Sequence, residues 1–213
     1  MAAIIGTNIK VEVEASLDAA DTVTAITLAN PGVGTATAHG FANGDIIKFY
    51  VSGGMVELDG QAVRVANITA NTFELEGLDT TAYSAWTSGT AKKIASFQTL
   101  SSAQQITMPN PAPNKIETTT LIDKQRQYAY GLPEAPDGSI TGLFNPGGTA
   151  EGLIKAATNA NTALAFRVTF GGVQKSVFNA NVSGGTGFEL GTNAAATSTI
   201  SFTPVRQVLH YAT

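Results

Sequence analysis

Between Tyr130 and Val205 the order of local signals leaves the chain little freedom in its fold. Ser139-Ile140-Thr141-Gly142-Leu143-Phe144 alternates polar and apolar side chains, the period of an extended strand. Asn145-Pro146-Gly147-Gly148 is a turn, and about Ala150–Ala160 then reads as one short helix. Gly148 or Thr149 can cap it, Glu151 suits its first turn, and Leu153, Ile154 and Ala157 form one apolar stripe. Leu164, Phe166, Val168 and Phe170 alternate up to Gly171-Gly172, a pair that supplies the positive φ angles of a two-residue hairpin turn. That register puts Phe166 opposite Val177 and Phe170 opposite Val173. A last strand, Thr197–Val205, carries Ile200, Phe202 and Val205 toward the core. The expected core is Leu153, Ile154, Phe166, Val168, Phe170, Val177 and Phe202.

Thr7–Ser16 alternates Ile9, Val11, Val13 and Ala15 with Lys10, Glu12 and Glu14, and reads as a half-buried strand. After Ser16 the composition changes. Short strands at Thr22–Leu28, Gly34–Ala38, Ile46–Val51, Ala62–Ile68 and Thr72–Leu75 alternate with Asn30-Pro31-Gly32, Asn43-Gly44-Asp45, Ser52-Gly53-Gly54 and Asp59-Gly60. Turn signals at this spacing predict a small β-barrel or sandwich over residues 19–91. The rest, residues 1–18 and 92–213, makes a second β-domain into which that module is inserted, leaving at Asp18–Asp21 and returning at Ser84–Lys93.

The 213 residues can bury a substantial core. Only 13% are charged against 43% hydrophobic, which suits a β-protein that hides much of its surface in an assembly. Residues 19–91 carry seven acids against Lys48 and Arg64, while the remainder is close to neutral. Neither part has the basic stripe of a nucleic-acid binder. There is no cysteine, hence no disulfide or thiolate metal site. Met1–Gly6 lacks the basic and apolar regions of a signal peptide, and no apolar run is long enough to span a membrane. The chain is therefore expected to be made as a soluble cytoplasmic protein without cofactor or metal.

Ser101–Tyr130 is long, polar and broken by Pro109, Pro111 and Pro113, with sparse apolar anchors at Ile106, Met108, Ile116, Leu121 and Ile122. Ordering a backbone costs about 1–2 kcal/mol per residue, which these anchors cannot offset within one subunit. The segment is expected to be mobile or ordered by a neighbouring copy. Arg126 could reach a partner's carboxylate or remain a solvated charge, and Lys92-Lys93 reads as a charged strand edge.

No catalytic set emerges. His39 and His210 are the only histidines, read as a hydrogen-bonded turn residue and an interface or tail residue. Asp137-Gly138, Asp59-Gly60 and Asn43-Gly44-Asp45 lack the alternating acids of a calcium loop and read as turns. Gly32-Val33-Gly34 and Gly184-Gly185-Thr186-Gly187 have no following lysine in phosphate-loop spacing and read as strand connectors. Ser183 has no histidine placed to activate it, so an enzyme is not expected.

The block from Lys93-Ile94-Ala95-Ser96-Phe97 through the long loop, single helix, Ala165–Val173 hairpin and threonine-rich closing strand resembles the tail tube (major tail) protein of long-tailed bacteriophages, the lambda-like family. The run from Ala38-His39-Gly40-Phe41 to Asn71-Thr72-Phe73-Glu74-Leu75 is similar to a small β-module of phage tail and fibre proteins. The resemblance implies a mainly β sandwich or barrel and a structural virion protein of the tail, with the inserted module on the tube exterior. It implies hexameric rings that stack into a tube, a tape-measure protein in the lumen, a terminator protein at the end, and passage of DNA without specific binding. It gives the long loop, with Met108, Ile116, Leu121, Ile122 and Arg126, a role in joining rings. It also implies an acidic lumen, to which Glu12, Glu14 or Glu189 could contribute. A baseplate or decoration protein that binds a host surface polymer through the acidic module is the alternative reading.

Overall fold

The computed structural model describes residues 8–110, 113–133, 136–172, 174–184 and 187–212. The strands are β1 (Ile9–Val23), β2 (Ala25–Ile26), β3 (Val33–Thr35), β4 (Ile46–Gly53), β5 (Ala62–Ala66), β6 (Thr72–Leu75), β7 (Ser88–Thr99) and β8 (Ala103–Thr107). They continue with β9 (Pro113–Glu117), β10 (Tyr128–Pro133) and β11 (Gly138–Leu143), then helix α1 (Thr149–Ala160), β12 (Leu164–Phe170), β13 (Gln174–Gly184), β14 (Thr197–Pro204) and β15 (Leu209–Ala212). The fold is mainly β with one helix, as expected. Among the described residues one large sheet runs β2-β3-β6-β5-β4-β7-β1-β12-β13-β14-β11-β8, with β15 on β13, and β9 and β10 pair apart from it. Every pair of neighbours in this path is antiparallel, from β1 with β12 to β5 with β6.

Two apolar clusters lie along this sheet. The first is enclosed by β1–β7 and contains Phe49, Met55, Leu58, Phe73, Leu75 and Leu78, extended by Ala165, Val177, Leu209 and Tyr211 from later strands. Because β2 follows β1 after Thr24, and pairs with β3, this part of the sheet returns to its own starting strand. The second cluster joins β1, β11–β14 and α1 through Val11, Val13, Ile140, Ile154, Phe166, Val168, Phe178 and Phe202. β1 serves both clusters, with Val23 in the first and Val11 and Val13 in the second, and its pairing with β7 slips at Glu14/Ser16, Ser16/Leu17 and Leu17/Ala20. Such bulges bend a strand, which lets one pair of strands follow two differently curved halves.

The helix stands where the 3.6-residue period put it. Gly148 is the N-cap and Glu151 lies in the first turn. Asn161 ends the helix in the left-handed conformation, φ 51°, and its N–H bonds the Ala157 and Thr158 carbonyls. Ala150, Ile154 and Ala157 are buried, with Leu153 partly buried beside them.

The β12–β13 register differs from the expectation. Phe166 faces Phe178, Arg167 faces Val177 and Phe170 faces Gln174. Three residues rather than two therefore connect the strands, and every pair is displaced by one. Because side chains alternate with period two, Val177 moves to the opposite face and joins the first cluster, while Phe178 takes its place beside Phe166. Val173, Pro111, Gly185 and Thr186, which also carried expectations, lie outside the described residues.

The long polar segment is also not one loop. Its first part, β8, pairs with β11, and β9–β10 form a separate hairpin. β15 is a further strand that Leu209 and Tyr211 anchor against β13.

Candidate assembly surface

The β9–β10 hairpin is an arm. Thr118 N–H donates to the Gln127 carbonyl at 2.9 Å, and Gln127 N–H donates to Thr119 Oγ1 at 3.0 Å, closing the paired part. At the tip one Asp123 carboxylate oxygen accepts from both the N–H and the hydroxyl of Thr120, each at 2.8 Å. Those bonds from the Thr120 backbone and side chain hold the Asp123 carboxyl below its ordinary range. Arg126 lies 3.8 Å from Glu117 with both side chains well exposed, so this pair contributes little. Leu121 and Ile122, 107% and 91% exposed, stand out from the tip, and Ile116, Tyr130 and Leu132 are exposed along the strands. A lone hairpin is marginal in water, and this one presents its largest apolar side chains to solvent.

Met108, expected with the arm residues, is partly buried against the second cluster of its own chain. It lines a groove of ≈ 730 Å³ at the arm's root, together with Phe170, Phe178, Val208 and Arg206. The floor also holds Ser176, whose hydroxyl is 2.7 Å from His210 Nδ1, directly across the β13–β15 pair. Arg206 is fixed at the rim by donating to the Asp59 carbonyl at 2.8 Å and the Val56 carbonyl at 2.7 Å.

The three acids named for the lumen sit in different surroundings. Glu12 is 3% exposed and accepts from Arg167 at 2.6 Å, with Lys10 Nζ also at 2.6 Å. Burial pushes its carboxyl up, but the bonds from Arg167 and Lys10 outweigh this and hold it low. Arg167 in turn lies over the Phe97 ring, 4.2 Å from its centroid. Glu14 is buried, accepts the Ala165 N–H at 3.1 Å and pairs with buried Lys48 at 3.4 Å. Burial lowers the Lys48 pKa, and Glu14 opposes that shift. Lys48 also donates to the Ala163 carbonyl at 2.7 Å. Both faces of β1 are therefore covered here, unlike the half-buried strand that alternation predicts, and the charges tolerate burial because each is paired. Glu189 is exposed, in an isolated bridge with Thr197.

His39 Nδ1 accepts the Phe41 N–H at 3.0 Å, and the ring packs on Phe41 and Phe73. Among the described residues no group of three or more acids or histidines is placed to hold a metal ion.

The expected core residues are placed as follows: Ile154, Phe166, Val168 and Phe202 are buried in the second cluster, Leu153 and Phe170 pack against it, and Val177 lies in the first. The groove was not legible in the sequence. Its walls come from β8, β12–β13 and the β14–β15 connection, which no local period brings together.

The family model described as phage tail tube protein, TTP, matches residues 53–213, from the end of β4 through β15. No curated protein matches the chain.

Proposed function

The chain belongs to the phage tail tube protein family, and from that premise we propose that its copies close into hexameric rings that stack into the conduit for DNA delivery. It is a structural protein of the virion tail. The observation that carries the finer reading is the arm, whose apolar tip is covered by none of the described residues of its own chain. Heterologous contacts that repeat without closing give a tube of indefinite length, so a tape-measure protein and a terminator protein are the partners that fix its extent. A free edge supports lateral closure: among the described residues β8 pairs only with β11, and its sequence, Ala103-Gln104-Gln105-Ile106-Thr107, has no charge or proline to repel a neighbouring strand.

DNA sliding through the lumen needs a wall without cationic or stacking sites. Glu189 is the proposed lumen acid whose charge is exposed, since Glu12 and Glu14 are matched by cations of the same subunit. Residues 19–91 form the module proposed for the tube exterior, where their seven acids do not face the passing phosphates. Negative-stain microscopy of concentrated protein tests this reading, with hollow tubes of uniform bore as the expected result. Discrete particles that never polymerise would overturn it.

A further inference from the structure

We propose that the groove at the root of the arm is the receptor for the tip of another copy's arm, with Leu121 and Ile122 as the inserted side chains. This rests on the tube reading above and names the two surfaces that meet. The groove and the tip are complementary in chemistry. The groove's apolar wall is built from Met108, Val168, Phe170, Phe178 and Val208, and its ≈ 730 Å³ exceeds what two branched aliphatic side chains need. The tip offers two such side chains side by side, followed by Asp123, while Arg206 keeps a positive charge at the groove rim.

Geometry makes the contact intermolecular. Met108, Pro109, Asn110 and Pro136 line the groove and stand at the two ends of the arm. The paired strands from Pro113 to Thr118 hold the tip roughly 17 Å from that root at the usual rise per residue. An arm cannot reach its own groove without giving up its hairpin bonds. A tip placed in the root of the next copy leaves that copy's tip unfilled, so the contact repeats in one direction.

The absence of cysteine from the chain makes the test direct. A Leu121→Cys/Val208→Cys double variant, assembled into tubes and treated with a short bismaleimide, is expected to run as a ladder of covalent multimers on a denaturing gel. Either single variant is expected to give no ladder. Leu121 is exposed, so Leu121→Asp leaves the subunit folded and is expected to raise the critical concentration for polymerisation about ten- to a hundredfold. Tubes of the double variant that yield only monomers would overturn the groove assignment while leaving ring stacking intact. Wild-type protein that forms no tubes would remove both.

Discussion

Phe166→Ala tests the centre of the fold. Phe166 is 0% exposed on β12, with Phe178 on β13 and Phe202 on β14 against it. Its ring centroid lies 5.4 Å from that of Phe178 at 10° and 5.7 Å from that of Phe202 at 27°, and those two rings are 5.3 Å apart. Truncating a buried phenylalanine costs about 3–5 kcal/mol, and two aromatic contacts of about 0.5–1.5 kcal/mol each push this site toward the upper end. The neighbours cannot easily collapse into the space. Gly138 lies across from Phe202, so close to its ring that a Cβ there would overlap it, which fixes the ring against β11. Urea unfolding of the unassembled subunit measures the effect. With a slope of about 1–3 kcal/mol/M, a loss of about 4 kcal/mol lowers the midpoint by more than about 1 M. Leu121→Ala, at an exposed site, is the matched control and should leave the midpoint unchanged. Equal midpoints for Phe166→Ala and wild type would refute the three-ring core.

Trypsin should cut the free subunit near Lys115 and at Lys124–Arg126 of the arm but spare assembled tubes, and equal cleavage in both would remove the arm from the ring contact. Glu14→Gln should destabilise by about 3–5 kcal/mol in a melting experiment, because buried Lys48 keeps its charge without its partner, whereas Glu14→Leu with Lys48→Met should cost about 1–3 kcal/mol, the share of the Ala165 N–H left without an acceptor. The lowered Lys48 pKa means that the unfolded chain binds more protons between that value and 10.5, so this group's contribution rises with pH through that window and Lys48→Met should flatten it. Deleting Ala20–Ala91 with a short Gly/Ser bridge should leave a tube-forming protein once Val177, Leu209 and Tyr211, which pack into the first cluster, are made polar; aggregation of that protein in microscopy would show the module to be integral.

Legibility followed the range of the interactions. The helix, β11, β12 and β14 were readable because capping residues and periodicity act over a few residues, and Ile154, Phe166 and Phe202 followed from them. The β12–β13 register was lost through one residue of turn length, since Gly171-Gly172 signals a turn without stating how many residues it spans. β8 was hidden because Ala103-Gln104-Gln105-Ile106-Thr107 has no clear apolar alternation and is held in place by its pairing with β11. Glu12 and Glu14 looked like a solvated face because the cations that permit their burial come from Arg167 and Lys48, distant in sequence. The groove required four separate elements at once. Ile116, Leu121 and Ile122 were visible as apolar residues in a polar segment, but the hairpin that carries them was not, and Met108 belongs to the groove rather than to the arm.

The energetics of the arm predict how the tube grows. Burying Leu121 and Ile122 contributes about 1.5–3 kcal/mol each, so one tip supplies roughly 3–6 kcal/mol. Bringing two free subunits together costs about 4–15 kcal/mol, which a single arm does not exceed by any useful margin. A ring changes the balance, because it presents several arms at once and its association cost is met only once for all of them. Isolated subunits should therefore remain monomeric at concentrations where rings already add to a tube end. Polymerisation followed by light scattering should show a lag that shortens steeply with concentration and disappears when sheared tubes are added. Leu121→Asp should lengthen the lag more than it slows growth on seeds, because several arms share the load at a tube end. Growth without a lag, or a stable dimer held by the arm alone, would show that one docked tip suffices and that the ring is not the unit of addition.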